Sequence, residues 1–363
     1  MHYALVGAIT LALLEFAVRW LLPQAELHPR YRYSERYGHV LPTSTRIVHE
    51  MHGAWRFTYT TNEYGFRTAM PPITNRYDRP NVVVLGDSCT FGQGVNDGEE
   101  YPAALSRRLG DAAAVVNLGV PGFGLTHEIR VFYEFGLLYQ PALVILQFHM
   151  NDLDDNVFER VTTVERGHFV FHRDRSVAGP LRAIKDWLSG SVLQYSAVYN
   201  LARNAAYDVW YHRVVDYESV EARARKEAFY NELLTAFAED LQRRGIALVM
   251  FDVPRHFAKW PAVQAHVRAL GEKKLLTVLD SSAWFKGLRD YGTPEGHPWG
   301  PLGHRVVAEH LAQPAQAALG IDALPERPGA GLARTIERRA IELHAAANAN
   351  EENPSRTAAG FSR

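Results

Sequence analysis

Residues 82–88 read Val82-Val83-Val84-Leu85-Gly86-Asp87-Ser88. Four consecutive apolar residues, three of them β-branched, suit a strand buried on both faces. The glycine behind them suits a tight turn into a following helix. Four further apolar runs repeat the pattern, at 115–118, 143–148, 247–251 and 275–279. Helical patterns over 101–109, 126–135, 220–243, 261–270 and 303–319 fall between or after them. Strand–helix alternation predicts an α/β fold: a central parallel five-stranded sheet with right-handed crossovers and helices on both faces. Ligands of such sheets sit beyond the carboxyl ends of the strands. The loops after the strands are therefore where chemistry is to be sought.

Composition narrows the function. Lys and Arg total 39 and Asp and Glu total 40, a formal charge of −1. This excludes a nucleic-acid binder working through a strongly basic surface. A hydrophobic share of 47% excludes a highly charged disordered chain. Cys89 is the single cysteine, so neither an intrachain disulfide nor a cysteine-based zinc site forms. The histidines show no metal-binding spacing, and neither a metal nor another cofactor is expected.

The ends differ from the middle. Residues 3–22 are apolar except for Glu15 and Arg19. Twenty helical residues span about 30 Å, the thickness of a bilayer core. Glu15 and Arg19 lie four apart, acid first, and can pair on one helix face. The segment 1–22 is read as a transmembrane or signal-anchor helix, with a docked amphipathic helix and a cleaved signal peptide as alternatives. Arg19, Arg30, Arg32 and Arg36 follow it, which by charge alone favours a cytoplasmic main domain. Residues 23–79, with Thr61-Asn62-Glu63-Tyr64-Gly65-Phe66-Arg67, read as a lead-in packed on the domain. Residues 321–363 read as a partly disordered tail, with a helix over 332–347.

Four blocks follow the strands. They are Gly86-Asp87-Ser88, then Asn117-Leu118-Gly119-Val120-Pro121-Gly122, then His149-Met150-Asn151-Asp152, and Glu295-Gly296-His297 near the end. In this order they resemble the SGNH/GDSL hydrolase family, of membrane-anchored bacterial serine-esterase type, over about residues 80–320. The resemblance implies a three-layer flavodoxin-like fold with Ser88 as nucleophile and His297 as general base. It implies an oxyanion hole from the Ser88 and Gly122 backbone N–H groups and the Asn151 amide. The family places an aspartate two or three residues before the histidine. Here Pro294 and Glu295 stand there, so Glu295 is the expected orienting acid and Asp290 a substitute. His149 stands where the family often has glycine, and it and Asp87 are possible site-lining residues. Asp87 and Asp152 are read as loop braces, and His304 as a packing or capping residue.

Other chemistries fail on particular residues. Thr90 breaks the G-x-S-x-G elbow of α/β-hydrolases. Neither Gly92 nor Gly94 is followed by the lysine a P-loop requires. Cys89 as a thiol nucleophile competes with its reading as a small packed side chain. The expected function is a serine ester hydrolase of esterase, lipase or deacetylase type. Its substrate would be a small-molecule, lipid or glycan ester, and the resemblance implies, against the charge bias, a domain outside the cytoplasm at a bacterial inner membrane. An O-acyltransferase and a non-catalytic envelope assembly protein of the same fold are the alternatives. The aromatic stretch 157–218 is long for a loop and is read as a cap beside the site.

Overall fold

The computed structural model describes residues 2–67, 79–173, 184, 187–188, 190–214 and 219–321. The tail beyond Ile321, with its expected helix, lies outside them, as does part of the aromatic insertion. The chain starts with a helix, His2–Leu21. Five short strands follow: β1 (Ala25–His28), β2 (Arg32–Ser34), β3 (Gly38–Val40), β4 (Arg46–Met51) and β5 (Trp55–Thr60). They form an antiparallel sheet in the order β1-β4-β5 and a separate ribbon, β2-β3.

Then come β6 (Asn81–Leu85), β7 (Ala114–Asn117) and β8 (Pro141–Phe148). A hairpin follows, β9 (Thr162–Glu165) and β10 (His168–Phe171). The last strands are β11 (Ala247–Asp252) and β12 (Thr277–Leu279). The central sheet is parallel and five-stranded, ordered β12-β11-β8-β6-β7. Its side chains alternate between two cores, as the two-residue strand period requires. Val83, Leu85, Val144, Leu146 and Met250 pack with the helices Leu125–Glu134, Val220–Arg243 and Pro261–Glu272. Val82, Val84, Leu143, Ile145 and Phe251 pack with Tyr101–Leu109 and Pro301–Leu319. Every residue of β6 and β7 is buried. At about 1.5–3 kcal/mol per buried Val or Leu, this burial selects the strand assignment.

The expected elements appear with small boundary shifts. The last strand begins at Thr277 instead of at residue 275, because the Leu275 N–H donates to Leu270 and completes the preceding helix turn. The strand order reverses between β6 and β8, with β7 outside β6. Crevices open at such switch points, so the loops after β6 and β8 flank the place where a ligand fits.

The N-terminal helix is long and apolar enough to cross a membrane. Its two charges are used by the protein itself. Arg19 pairs with Glu15 at 2.9 Å and donates to the Tyr195 carbonyl at 2.8 Å. Glu15 accepts from the Ala197 and Val198 N–H groups and the Ser196 hydroxyl, capping the insertion helix Ala197–Val214. A carboxylate at exposed helix N–H groups satisfies donors that have no partner within the helix. The cost of two charges in an apolar helix is thus offset by a docking contact.

Arg67, which ends the lead-in quoted above, is 1% exposed. Its guanidinium donates to Asp97 at 3.1 Å and to the carbonyls of Phe91, Gly92 and Val95 at 2.7–2.8 Å. It also lies over the Tyr59 and Phe91 rings. One side chain thereby ties the lead-in to the segment that follows Ser88.

Candidate active site

The turn after β6 is shaped by close approach. A Cβ on Gly86 would lie 2.1 Å from Thr90 Oγ1 and 2.8 Å from Gln147 Oε1, so no larger residue fits. Asp87 is fully buried and accepts the Cys89 N–H at 2.9 Å, which starts the short helix Ser88–Phe91. Ser88 is half-buried, and its hydroxyl donates to Asp87 Oδ2 at 3.3 Å.

Asn117 at the end of β7 braces the second loop. Its amide donates to the Thr90 carbonyl and its oxygen accepts the Gly119 N–H. The loop then reaches Gly122, whose φ of +80° favours glycine. Among the described residues, neither the Ser88 nor the Gly122 N–H has a hydrogen-bond acceptor.

Beyond β8, Asp152 accepts the His149 N–H at 3.0 Å. His149 Nδ1 faces Asp87 Oδ2 at 3.5 Å and makes a close contact with Asn151 Oδ1. Asn151 Nδ2 donates to Asp155 at 2.9 Å. Burial and the charge of Asp87 push the Asp155 carboxyl well above its ordinary range. An amide nitrogen carries two hydrogens, so one remains for another acceptor.

His297 is held in a turn by two bonds with Thr293, its N–H donating to the threonine hydroxyl at 2.9 Å. Burial lowers its pKa below 6.5, with Asp87 opposing and His149 assisting. Asp87 thus accepts from the Ser88 hydroxyl, and its charge acts on His297. His304 is buried and accepts the Tyr101 N–H at 3.1 Å.

Glu295 makes no hydrogen bond to His297. Its nearest approach is 3.9 Å, to Nε2. The carboxylate instead accepts from Gln93 Nε2 at 2.7 Å and faces His49 Nδ1 at 3.3 Å. Burial raises the Glu295 pKa and lowers that of His49 to about 4, which weakens any ion pair between them. Among the described residues Asp290 makes no hydrogen bond or ion pair with His297, and it sits at a positive φ of 56°. Replacing Glu295 by glutamine is accordingly expected to change kcat by less than about tenfold, well short of the loss on removing a triad member. A loss comparable with that of His297→Ala would restore Glu295 as the orienting acid.

Asp87, Cys89 and His149 bring one ligand atom each within 4.8 Å of one another. Metal binding needs the thiolate, whereas burial and the charge of Asp87 push the Cys89 thiol well up. Asp87 is also committed to the Cys89 N–H and Ser88 hydroxyl. The cluster braces the loops. Cys89, 2% exposed, is poorly placed to attack a substrate.

Sequence reasoning missed His39, His49, Gln93 and Glu159. His39 and His49 come from the lead-in strands, and no spacing links them to the blocks. His39 Nε2 lies 2.8 Å from the Pro121 carbonyl, beside Gly122.

The GDSL-like Lipase/Acylhydrolase family model matches residues 84–298. No curated protein matches the chain. Among solved structures, a catalytic mutant of Axe2, an acetylxylan esterase from Geobacillus stearothermophilus, is 13% identical. It covers 68% of this chain and 97% of its own at a TM-score of 0.39. TesA is 13% identical over 66% and 97% at 0.38. A GDSL-like lipase from Bacteroides thetaiotaomicron is 13% identical over 69% and 92% at 0.37. These similarities are weak, and the assignment rests on the family model, which spans more than half of the residues and includes all four blocks as far as His297. The chain belongs to the GDSL-like lipase/acylhydrolase family.

Proposed function

We propose that this protein hydrolyses carboxylic esters through an acyl-enzyme on Ser88. The observation that carries the reading is Ser88 itself: half-buried, at the sheet's switch point, with its own N–H and that of Gly122 open to an acceptor. Ser88 Oγ attacks the ester carbonyl carbon while His297 takes its proton. The carbonyl oxygen gains negative charge and is met by the Ser88 and Gly122 N–H groups and the second hydrogen of the Asn151 amide. His297 then gives the proton to the leaving alkoxide. Water, activated by the same imidazole, releases the acid and regenerates Ser88.

The low pKa of His297 supports the base role, because a base must be neutral to accept a proton. Its folded value lies below 6.5, so the neutral form persists as the pH falls past that point. The acidic limb of kcat/KM is expected below pH 6.5; a limb above it would count against His297 as base. Burial, with the charge of Asp155 assisting, raises the phenol pKa of Tyr207 on the insertion helix.

The exposed helix tethers the domain to a bilayer, which puts lipid or envelope-glycan esters within reach. A C-terminal alkaline phosphatase fusion, active only after export, reports which side the domain faces. Chemistry is tested by labelling the full-length protein with a fluorophosphonate. The adduct is expected on the peptide holding Ser88, and a folded protein that takes no label overturns the reading.

A further inference from the structure

The His39 side chain reaches across from the lead-in ribbon to the Pro121–Gly122 peptide. It lies upstream of the segment matched by the family model. Its two ring nitrogens face acceptors alone. Nε2 is 2.8 Å from the Pro121 carbonyl oxygen, and Nδ1 is 3.2 Å from Glu159 Oε2. A carbonyl and a carboxylate accept but do not donate, so both nitrogens must carry hydrogen and the ring is an imidazolium. Glu159 is fixed from its other side by His127 Nε2 at 3.1 Å, and His127 Nδ1 accepts the Gly124 N–H.

The Pro121 carbonyl and the Gly122 N–H belong to one rigid, planar peptide unit and point in opposite directions. Holding the oxygen therefore aims the N–H. A cationic donor on that oxygen also draws electron density through the peptide bond, which makes the N–H a stronger donor. Space is equally constrained: a Cβ on Gly122 would come within 3.1 Å of His39 Nε2.

We propose that His39 is a positioning residue: as an imidazolium clamped by Glu159, it orients and polarises the Pro121–Gly122 peptide so that the Gly122 N–H meets the oxyanion. The inference rests on the ester-hydrolase reading above. Other groups facing His39 are Asp155, the Tyr31 ring, the Phe123 ring and His127. Burial opposes the charge on His39, but the bond and charge of Glu159, the Pro121 carbonyl and Asp155 outweigh it and raise the pKa. Burial also opposes the charge on Glu159, which the two histidines hold well below the usual carboxylate range. With the pKa raised above 6.5, the imidazolium persists past that point and is lost as the pH rises through the folded value.

The test compares the full-length wild type, His39→Ala and His39→Gln on a soluble short-chain ester. Loss of one oxyanion donor costs about 10²–10³ in kcat, so misaiming one is expected to cost His39→Ala at least about tenfold, with KM unchanged. Glutamine retains an N–H for the Pro121 oxygen but no charge. His39→Gln is expected to recover part of kcat and to lose an alkaline decline that the wild type shows. Nitrogen NMR of labelled histidine, assigned by difference with His39→Gln, is expected to show one ring protonated at both nitrogens near neutral pH. This reading stands even where His39→Ala fails to fold. A neutral His39 ring, or wild-type kcat and pH profile in both variants, overturns the proposal. If Ser88→Ala is inactive while the His39 variants are unaffected, only this proposal fails. If Ser88→Ala remains active, the ester-hydrolase reading fails beneath it.

Discussion

Ser88→Ala is expected to lower kcat for ester hydrolysis by about 10⁴–10⁶ and to abolish fluorophosphonate labelling, as removal of a nucleophile does where base and oxyanion donors remain. Alanine keeps the backbone N–H at position 88, so the proposed oxyanion donors survive and a small residual rate is expected. Stability is expected to hold. The Ser88 hydroxyl makes a single long bond, to Asp87 at 3.3 Å, and the helix start depends on Asp87 accepting from Cys89. Steady-state kinetics with thermal unfolding of the same preparation separates the effects. Turnover near the wild-type value, or labelling that persists at another residue, would remove Ser88 from the chemistry.

Arg67→Met is expected to give the largest loss of stability. The guanidinium and Glu100 are each 1% exposed and lie 3.6 Å apart through Nε, which also donates to Asp97, and the two terminal nitrogens donate to three carbonyls. Methionine keeps apolar bulk over Tyr59 and Phe91 but leaves Glu100 buried without its cation. Breaking a buried pair in this way costs about 3–5 kcal/mol. For a domain of this size that corresponds to a fall in Tm on the order of 10 °C. Lysine is not expected to rescue it, because a point charge with three donors cannot reproduce the planar fork. Activity is expected to fall with stability, since the carbonyls held by Arg67 belong to residues at the end of the helix Ser88–Phe91 and just beyond it. An unchanged Tm in Arg67→Met would show that the clamp contributes little.

Part of the proposed site could be nominated before any coordinates. Ser88, Gly122, Asn151 and His297 stand in blocks directly after apolar runs or just before the last helix, and that placement is local information. The orienting acid could not. Position 295 looked suitable by spacing, yet its carboxylate binds Gln93, 202 residues away, and faces His49. His39 and Glu159, 120 residues apart, form a pair that no pattern in the chain announces. Glu15 and Arg19 looked like a burden on an apolar helix, and their pairing was readable from spacing. Their contact with the helix Ala197–Val214 was not.

The order of strands and helices, the two-faced burial of the sheet and the turn at Gly86 followed from the chain alone. Contiguous apolar runs have few other ways to leave water, and a crowded turn admits only glycine. Tertiary structure decided which polar groups meet: the clamp at Arg67, the partners of Glu295 and those of His39. Hydrogen bonds and ion pairs depend on distances of a few tenths of an ångström between segments remote in sequence. Such distances are set by packing once the core has formed, and no residue pattern encodes them locally.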